Sequence, residues 1–279
     1  MTAVRPAHAA PALEEPAFLG TKSRNRWLSL ALRAGVPALL LAAWWYSTAH
    51  DLVSTEVLAS PGQVVRAFWE LVGTGQLRDY ALASFGRAGL GVGIGVGVAL
   101  VLGLVSGLTR LGEELVDATV QIVRVVPFLA LVPLFISWFG VDEAFKVALI
   151  AVSSASPMYA YTYLGVRSVD RKVVEAVRGF GLTGWRLAVG VIVPSALPNI
   201  LMALRICLGI SLVGLIAAEQ VGATEGIGYL VTLAQQYYRN DYMVLCIVVY
   251  AVIGIGVDLV IRLVERTAMP WLRHGAATG

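Results

Sequence analysis

Six runs of about 20 mainly apolar residues, at 30–48, 88–108, 115–139, 144–164, 200–220 and 243–263, restrict this chain to one solvent. About 20 helical residues cross the hydrocarbon of a bilayer, and a backbone inside lipid must hydrogen-bond within its own segment. The runs therefore predict an all-α membrane protein with six transmembrane helices. The rest of the chain agrees, since 58% of its 279 residues are hydrophobic and only 14% are charged. No intervening segment is long enough for a soluble second domain.

Lysine and arginine accumulate on cytoplasmic loops, which sets the orientation. With the N-terminus inside, Arg5, Lys22, Arg24, Arg26, Arg33, Arg110, Arg167, Arg171, Lys172, Arg178, Arg186, Arg262, Arg266 and Arg273 are cytoplasmic. Only Arg66, Arg78, Arg87, Lys146 and Arg239 then fall outside. Fourteen against five predicts N-in/C-in topology. Residues 1–26 form a disordered cytoplasmic tail on this reading, 27–273 the transmembrane domain and 274–279 a C-terminal tail. A signal peptide competes for the first run, but its preceding polar region is long and the run continues into Trp44, Trp45 and Tyr46, an aromatic belt. Residues 51–87 suit short amphipathic helices on a polar membrane face. A formal charge of +3, scattered along the chain, does not suit nucleic acid. Cys207 and Cys246 lie in apolar stretches and read as buried thiols.

The cytoplasmic segment 166–198 interrupts the apolar pattern with Glu175, Ala176, Val177, Arg178, Gly179, Phe180 and Gly181, then Val191, Ile192, Val193 and Pro194. Asp170 suits the cap of a short helix from Arg171 to Phe180, and Gly181 the turn that ends it. Thr183 suits the cap of a second short helix ending before Pro194. An ordinary interfacial amphipathic helix pair is the plainer alternative. The spacing resembles the EAA loop of bacterial ABC importer permeases, Glu-Ala-Ala, three residues, Gly, nine residues, Ile, one residue, Leu-Pro. Glu175, Ala176, Gly181 and Pro194 are in register, while Val177 replaces the second Ala, Val191 the Ile and Val193 the Leu. The resemblance implies a type I ABC importer permease fold, with a cytoplasmic coupling helix between spans four and five that docks on an ATPase subunit. A Gly at the bend would let the two backbones approach closely.

The second span carries Gly89, Gly91, Gly93, Gly95 and Gly97, then Gly103 and Gly107. Positions 89, 93 and 97 share a helical face and predict a close helix contact, either a static seam within the subunit or a sliding one. Gly93→Leu is accordingly expected to damage assembly. Charges within spans are costly and become candidates for substrate handling. Arg124 and Arg205, near cytoplasmic ends, suit an anion and equally suit snorkelling to lipid head groups. Asp258 has an intrahelical partner in Arg262, four residues on, whereas Glu219 has no cation at helical reach. Ser137, Ser153, Ser154 and Ser211 offer hydroxyl donors to an oxyanion.

Three further segments look like the permeases of the sulfonate, taurine and nitrate import group. They are Ala83-Ser84-Phe85-Gly86-Arg87; Arg124-Val125-Val126-Pro127 continuing through Pro133 to Trp138-Phe139-Gly140; and Ala218-Glu219-Gln220 with Gly226-Ile227-Gly228-Tyr229-Leu230. Pro127 and Pro133 would kink a pore-lining third span. The resemblance implies that an extracytoplasmic binding protein delivers a small anion, most simply an aliphatic sulfonate or taurine, to a permease homodimer in the bacterial inner membrane. Separate ATPase subunits would bind ATP and Mg and do the hydrolysis, so this chain needs no cofactor and is not an enzyme. It holds no Gly-x4-Gly-Lys-Ser/Thr. Nitrate, bicarbonate or a thiamine precursor are alternative cargoes. The implied path residues are Arg124, Pro127, Ser137, Arg205, Ser211 and Glu219. Of other classes, a haem carrier or intramembrane protease lacks histidines, because His8, His50 and His274 lie outside the apolar runs. An ion-coupled carrier using Glu219 and Asp258 is the rival, and a structural scaffold the last alternative.

Overall fold

A computed structural model describes residues 26–269, which are helical with short connections and contain no strand among the described residues. The predicted tails therefore lie almost wholly outside the described residues. The helices are α1 (Arg26–Ala49), α2 (Pro61–Gly73), α3 (Gln76–Leu108), α4 (Arg110–Val123), α5 (Phe128–Phe139), α6 (Glu143–Arg167), α7 (Arg171–Gly179), α8 (Gly184–Glu219), α9 (Ile227–Gln236) and α10 (Asn240–Ala268). The chain divides after Leu52 into a unit holding α1 and a second unit holding the rest. By length and composition α3, α8 and α10 can each cross a membrane, and the bent pair α4–α5 counts as a fourth candidate if taken as one broken span. At a rise of ~1.5 Å per residue, the 24 residues of α1 and 25 of α6 also reach a bilayer's thickness.

Three differences from the sequence reading stand out. The third predicted span is no single kinked rod, for its halves meet at 82° around residues 124–127. Arg124 consequently sits at the bend, at the end of α4 and fourteen positions from its start. Next, α3 starts at Gln76, so Arg87, expected at the end of a polar outer stretch, lies inside the long helix and is 6% exposed. Lys146 is likewise buried, on α6. Finally, Pro194 does not end a helix. A widened turn, Ala188–Ile192, directly precedes it, and the helix runs on to Glu219. Such a π turn accommodates a ring that lacks an N–H and would clash with the carbonyl four residues back.

The amphipathic helix expected before the second span is α2, opened by a reciprocal bond pair between Ser60 and Gln63. It buries Val64, Ala67 and Leu71, spaced for one helical face. Arg239 at the start of α10 bonds Glu70 of α2 at 3.0 Å. The Tyr242 hydroxyl and then Arg239 hold the Glu70 carboxyl below its ordinary pKa.

The core is built on α6, which packs between α3 and α8. Ala99, Met158, Tyr159, Val166, Ala196, Ala203 and Cys207 form its middle. Small residues make the α3–α6 approach possible, but not on the stripe expected. A Cβ at Gly89, Gly93 or Gly97 meets nothing within 4 Å. At Gly91 it would lie 2.6 Å from Ile150, at Gly95 2.2 Å from the Ala151 carbonyl oxygen, at Gly103 2.9 Å from Thr162 and at Gly107 2.7 Å from Val166. The seam follows 91, 95, 99, 103 and 107 because Ala99, Gly103 and Gly107 extend that stripe over about four turns. The stripe through Gly97 continues instead into Val101 and Val105.

Candidate functional site: an exposed elbow, a mid-helix cavity and a buried ion cluster

Asp170 opens α7 by accepting a bond from the Lys172 amide at 2.9 Å, as its sequence position implies. The helix closes in a Schellman turn, in which the Gly181 amide donates to the Arg178 carbonyl at 2.9 Å and the Leu182 amide to the Val177 carbonyl at 3.3 Å. Gly181 holds φ at +88°, the left-handed conformation this closure needs. Thr183 has extended backbone at the start of α8, but its side chain makes no capping bond.

Nothing in α7 is buried. Glu175 and Ala176 are exposed, Val177 is half-buried, and Glu175 has no ion-pair partner among the described residues. Phe180 and Trp185, flanking Gly181, are 86% and 77% exposed. Two uncovered aromatics beside a carboxylate form an exposed patch next to the Gly181 turn, and aromatic anchors of this kind are enriched at interfaces. Sequence reading passed over Phe180 and Trp185, although their apolar character within a polar hairpin was the available signal. Gly181→Ala should cost about 1–2 kcal/mol through backbone strain alone, since a Cβ there meets nothing within 4 Å. Hydrogen exchange at the Gly181 and Leu182 amides, faster by roughly tenfold, is the corresponding measurement.

The break between α4 and α5 opens a cavity of about 390 Å³. Pro127 is extended there (φ −60°, ψ 122°) and interrupts the helix. Arg124, Pro127, Phe128 and Ser156 line the space, together with Ile210 of α8. The remaining proposed path residues lie elsewhere. Arg205 pairs with Asp258 and Glu265, each at 3.2 Å, and Asp258 also bonds Arg262 at 2.6 Å. Ser211 donates to the Leu208 carbonyl and borders a second cavity of about 430 Å³ beside Gly89 and Gly93. Ser137 is exposed on α5.

Glu219 has its cation after all, from another helix. Its fully buried carboxylate accepts from Arg87 Nη1 at 2.9 Å and the Gly228 amide at 2.8 Å, and lies 2.7 Å from Ser84 Oγ. The Ile227 amide donates to Ser84 Oγ at 2.9 Å. Arg87 also bonds Glu143 through Nε and Nη2 at 2.6 and 2.9 Å, and the Glu225 carbonyl at 2.7 Å. Lys146 completes the group at 2.8 Å from Glu143. Gly226, at φ +120°, passes so close that a Cβ would sit 2.4 Å from Glu219 Oε1. Two of the family-like segments, Ser84–Arg87 and 218–228, thus meet in one ionic knot joining α3, α6, α8 and α9.

Residues 91–269 match the family described as "Binding-protein-dependent transport system inner membrane component". The chain is 41% identical to the Escherichia coli (strain K12) "Putative aliphatic sulfonates transport permease protein SsuC", over 88% of this chain and 94% of that one. Identity to its Bacillus subtilis (strain 168) namesake is 37%, over 90% of each. Identity to the E. coli (strain K12) "Taurine transport system permease protein TauC" is 32%, over 88% and 90%. Among solved structures, a chain of an amino acid ABC transporter matches with TM-score 0.61 at 20% identity, over 72% of this chain and 97% of that one. A chain of the MetNI methionine ABC transporter matches with TM-score 0.55 at 22% identity, over 68% and 95%. The last two speak to the fold. The chain therefore belongs to the inner-membrane component family of binding-protein-dependent ABC import systems, as a multi-pass bacterial inner-membrane protein with the all-helical type I permease fold.

Proposed function

We propose that this protein is the permease subunit of an ATP-driven importer of small anions, aliphatic sulfonates or taurine first among them. The names of the relatives at 41%, 37% and 32% identity support that cargo. The observation that carries the mechanism is the exposed elbow, Glu175 and Ala176 on α7 beside Phe180 and Trp185, held rigid by the Gly181 turn. In this reading the elbow faces the cytoplasm, both termini lie there too, and six spans cross the membrane. Two copies form a homodimer of twelve spans, each elbow seated on one ATPase subunit. ATP and Mg are bound and ATP is hydrolysed on those partners, and this chain carries no cofactor of its own. Closure of the ATPases would draw the elbows together and tilt α8, which is continuous from the elbow to Glu219, between inward-open and outward-open arrangements.

A proton-coupled carrier fits less well. Glu219 and Asp258, the carboxylates it would use, are both engaged in ion pairs. The test is uptake of labelled taurine, ethanesulfonate and nitrate by proteoliposomes holding the permease with its ATPase and binding protein. Uptake should require ATP and prefer the sulfonates. Glu175→Lys should insert normally and lose at least ~2 kcal/mol of docking energy, roughly thirtyfold in ATPase affinity, with uptake falling in step. Uptake driven by an ion gradient without ATP would overturn the proposal.

A further inference from the structure

We propose that the cavity at the α4–α5 break is the transit site for the substrate's anionic head, with Arg124 as the group that holds it. The inference rests on the import reading above and assigns its path to one place in the fold.

Four observations converge. The cavity's volume of about 390 Å³ falls in the range of small-molecule sites, ~300–1,000 Å³. At ~30 Å³ per water it has room for an oxyanion head and a short alkyl chain. It also borders the break in the bent span: Arg124 marks the α4 end, Ser153 and Ser156 are central in α6, and Ile210 lies about three-quarters of the way along α8. Arg124 is the single charged residue on its wall, and no carboxylate lines it.

Arg124 has no ion-pair partner among the described residues, whereas Arg87, Arg205, Arg239 and Arg262 are all paired. A cation left unpaired within a membrane span is costly and marks an ion path. Its planar fork matches two oxygens of a sulfonate. Ser156 Oγ, without a hydrogen bond among the described residues, can donate to a third. Val98, Val123, Phe128 and Leu131 supply an apolar wall for the chain behind the head. One fork in a partly open space binds weakly enough to release, which transit demands.

The complete transporter in proteoliposomes tests this, with taurine, ethanesulfonate and hexanesulfonate as probes and permease content of each preparation measured. Arg124→Ala should lower uptake of all three by roughly tenfold or more, the worth of a charge-assisted contact, while ATPase stimulation by the loaded binding protein persists. Arg124→Lys should restore part of it. Val123→Trp, which narrows the wall without touching the charge, should depress hexanesulfonate uptake more than that of taurine. Wild-type uptake in Arg124→Ala, or loss of ATPase stimulation in parallel with uptake, would overturn the assignment, as would equal effects of Val123→Trp on long and short chains. A wild-type transporter moving no sulfonate under ATP would instead overturn the import reading beneath it.

Discussion

Arg87→Ala is expected to destabilise the folded permease by about 3–5 kcal/mol, the cost of stranding a buried charge. The stranded group is Glu219, which has no solvent exposure and cannot recover its lost partner from water. The damage extends further, because Arg87 also carries the Glu225 carbonyl and both oxygens of Glu143. Ser84 and the Gly228 amide would remain on the carboxylate, so the site should loosen rather than empty. Replacing both charges, as Arg87→Met with Glu219→Leu, should cost markedly less than Arg87→Ala, since no isolated charge stays behind. Thermal unfolding of the detergent-purified variants measures both. A melting temperature of Arg87→Ala equal to wild type would mean that the knot contributes nothing to stability.

The second large effect is expected at Gly95. A leucine there must displace the Ala151 carbonyl oxygen, 2.2 Å from the position its Cβ would take, and Ser154 Oγ at 2.3 Å. The hydroxyl can rotate away, but the carbonyl cannot yield without moving the α6 backbone, so α3 and α6 must part along their seam. A cost of about 3 kcal/mol or more follows, at the upper end of overpacking penalties. At Gly93, half a turn away, an added Cβ meets no atom within 4 Å, so Gly93→Leu should change the stability of the chain by less than about 1 kcal/mol. The contrast is the informative quantity, read as folded fraction in detergent for the two variants side by side. If Gly93→Leu unfolds the chain and Gly95→Leu does not, the seam has been assigned to the wrong stripe.

That pair shows where sequence reading stops. Five glycines at alternate positions from 89 to 97 contain two small-residue stripes between which periodicity within that segment does not choose, and the continuation of one of them through Ala99, Gly103 and Gly107 was the available signal. Ser84, Arg87, Gly226 and Gly228 were visible as parts of family-like segments, yet their shared role was not. Arg87 and Glu219 are separated by 132 residues, and no local rule connects them. Arg205, plausible as a path residue from its depth, proves to be engaged by Asp258 and Glu265 from another helix.

By itself, the sequence determined everything that depends on near neighbours. Apolar run length set the helices, Asp170 and Gly181 set the two ends of α7, and Ser60 with Gln63 set the start of α2. These are decided within a turn or two of backbone, where hydrogen-bond supply and allowed φ are local quantities. Only the tertiary structure decided which glycines meet α6, that Arg87 and Lys146 are buried in one ion cluster, and that the third span breaks at 82° to open a cavity. Those outcomes depend on which surfaces meet when helices distant in the chain exclude lipid and water together, and on how a charge finds its counter-charge across that contact.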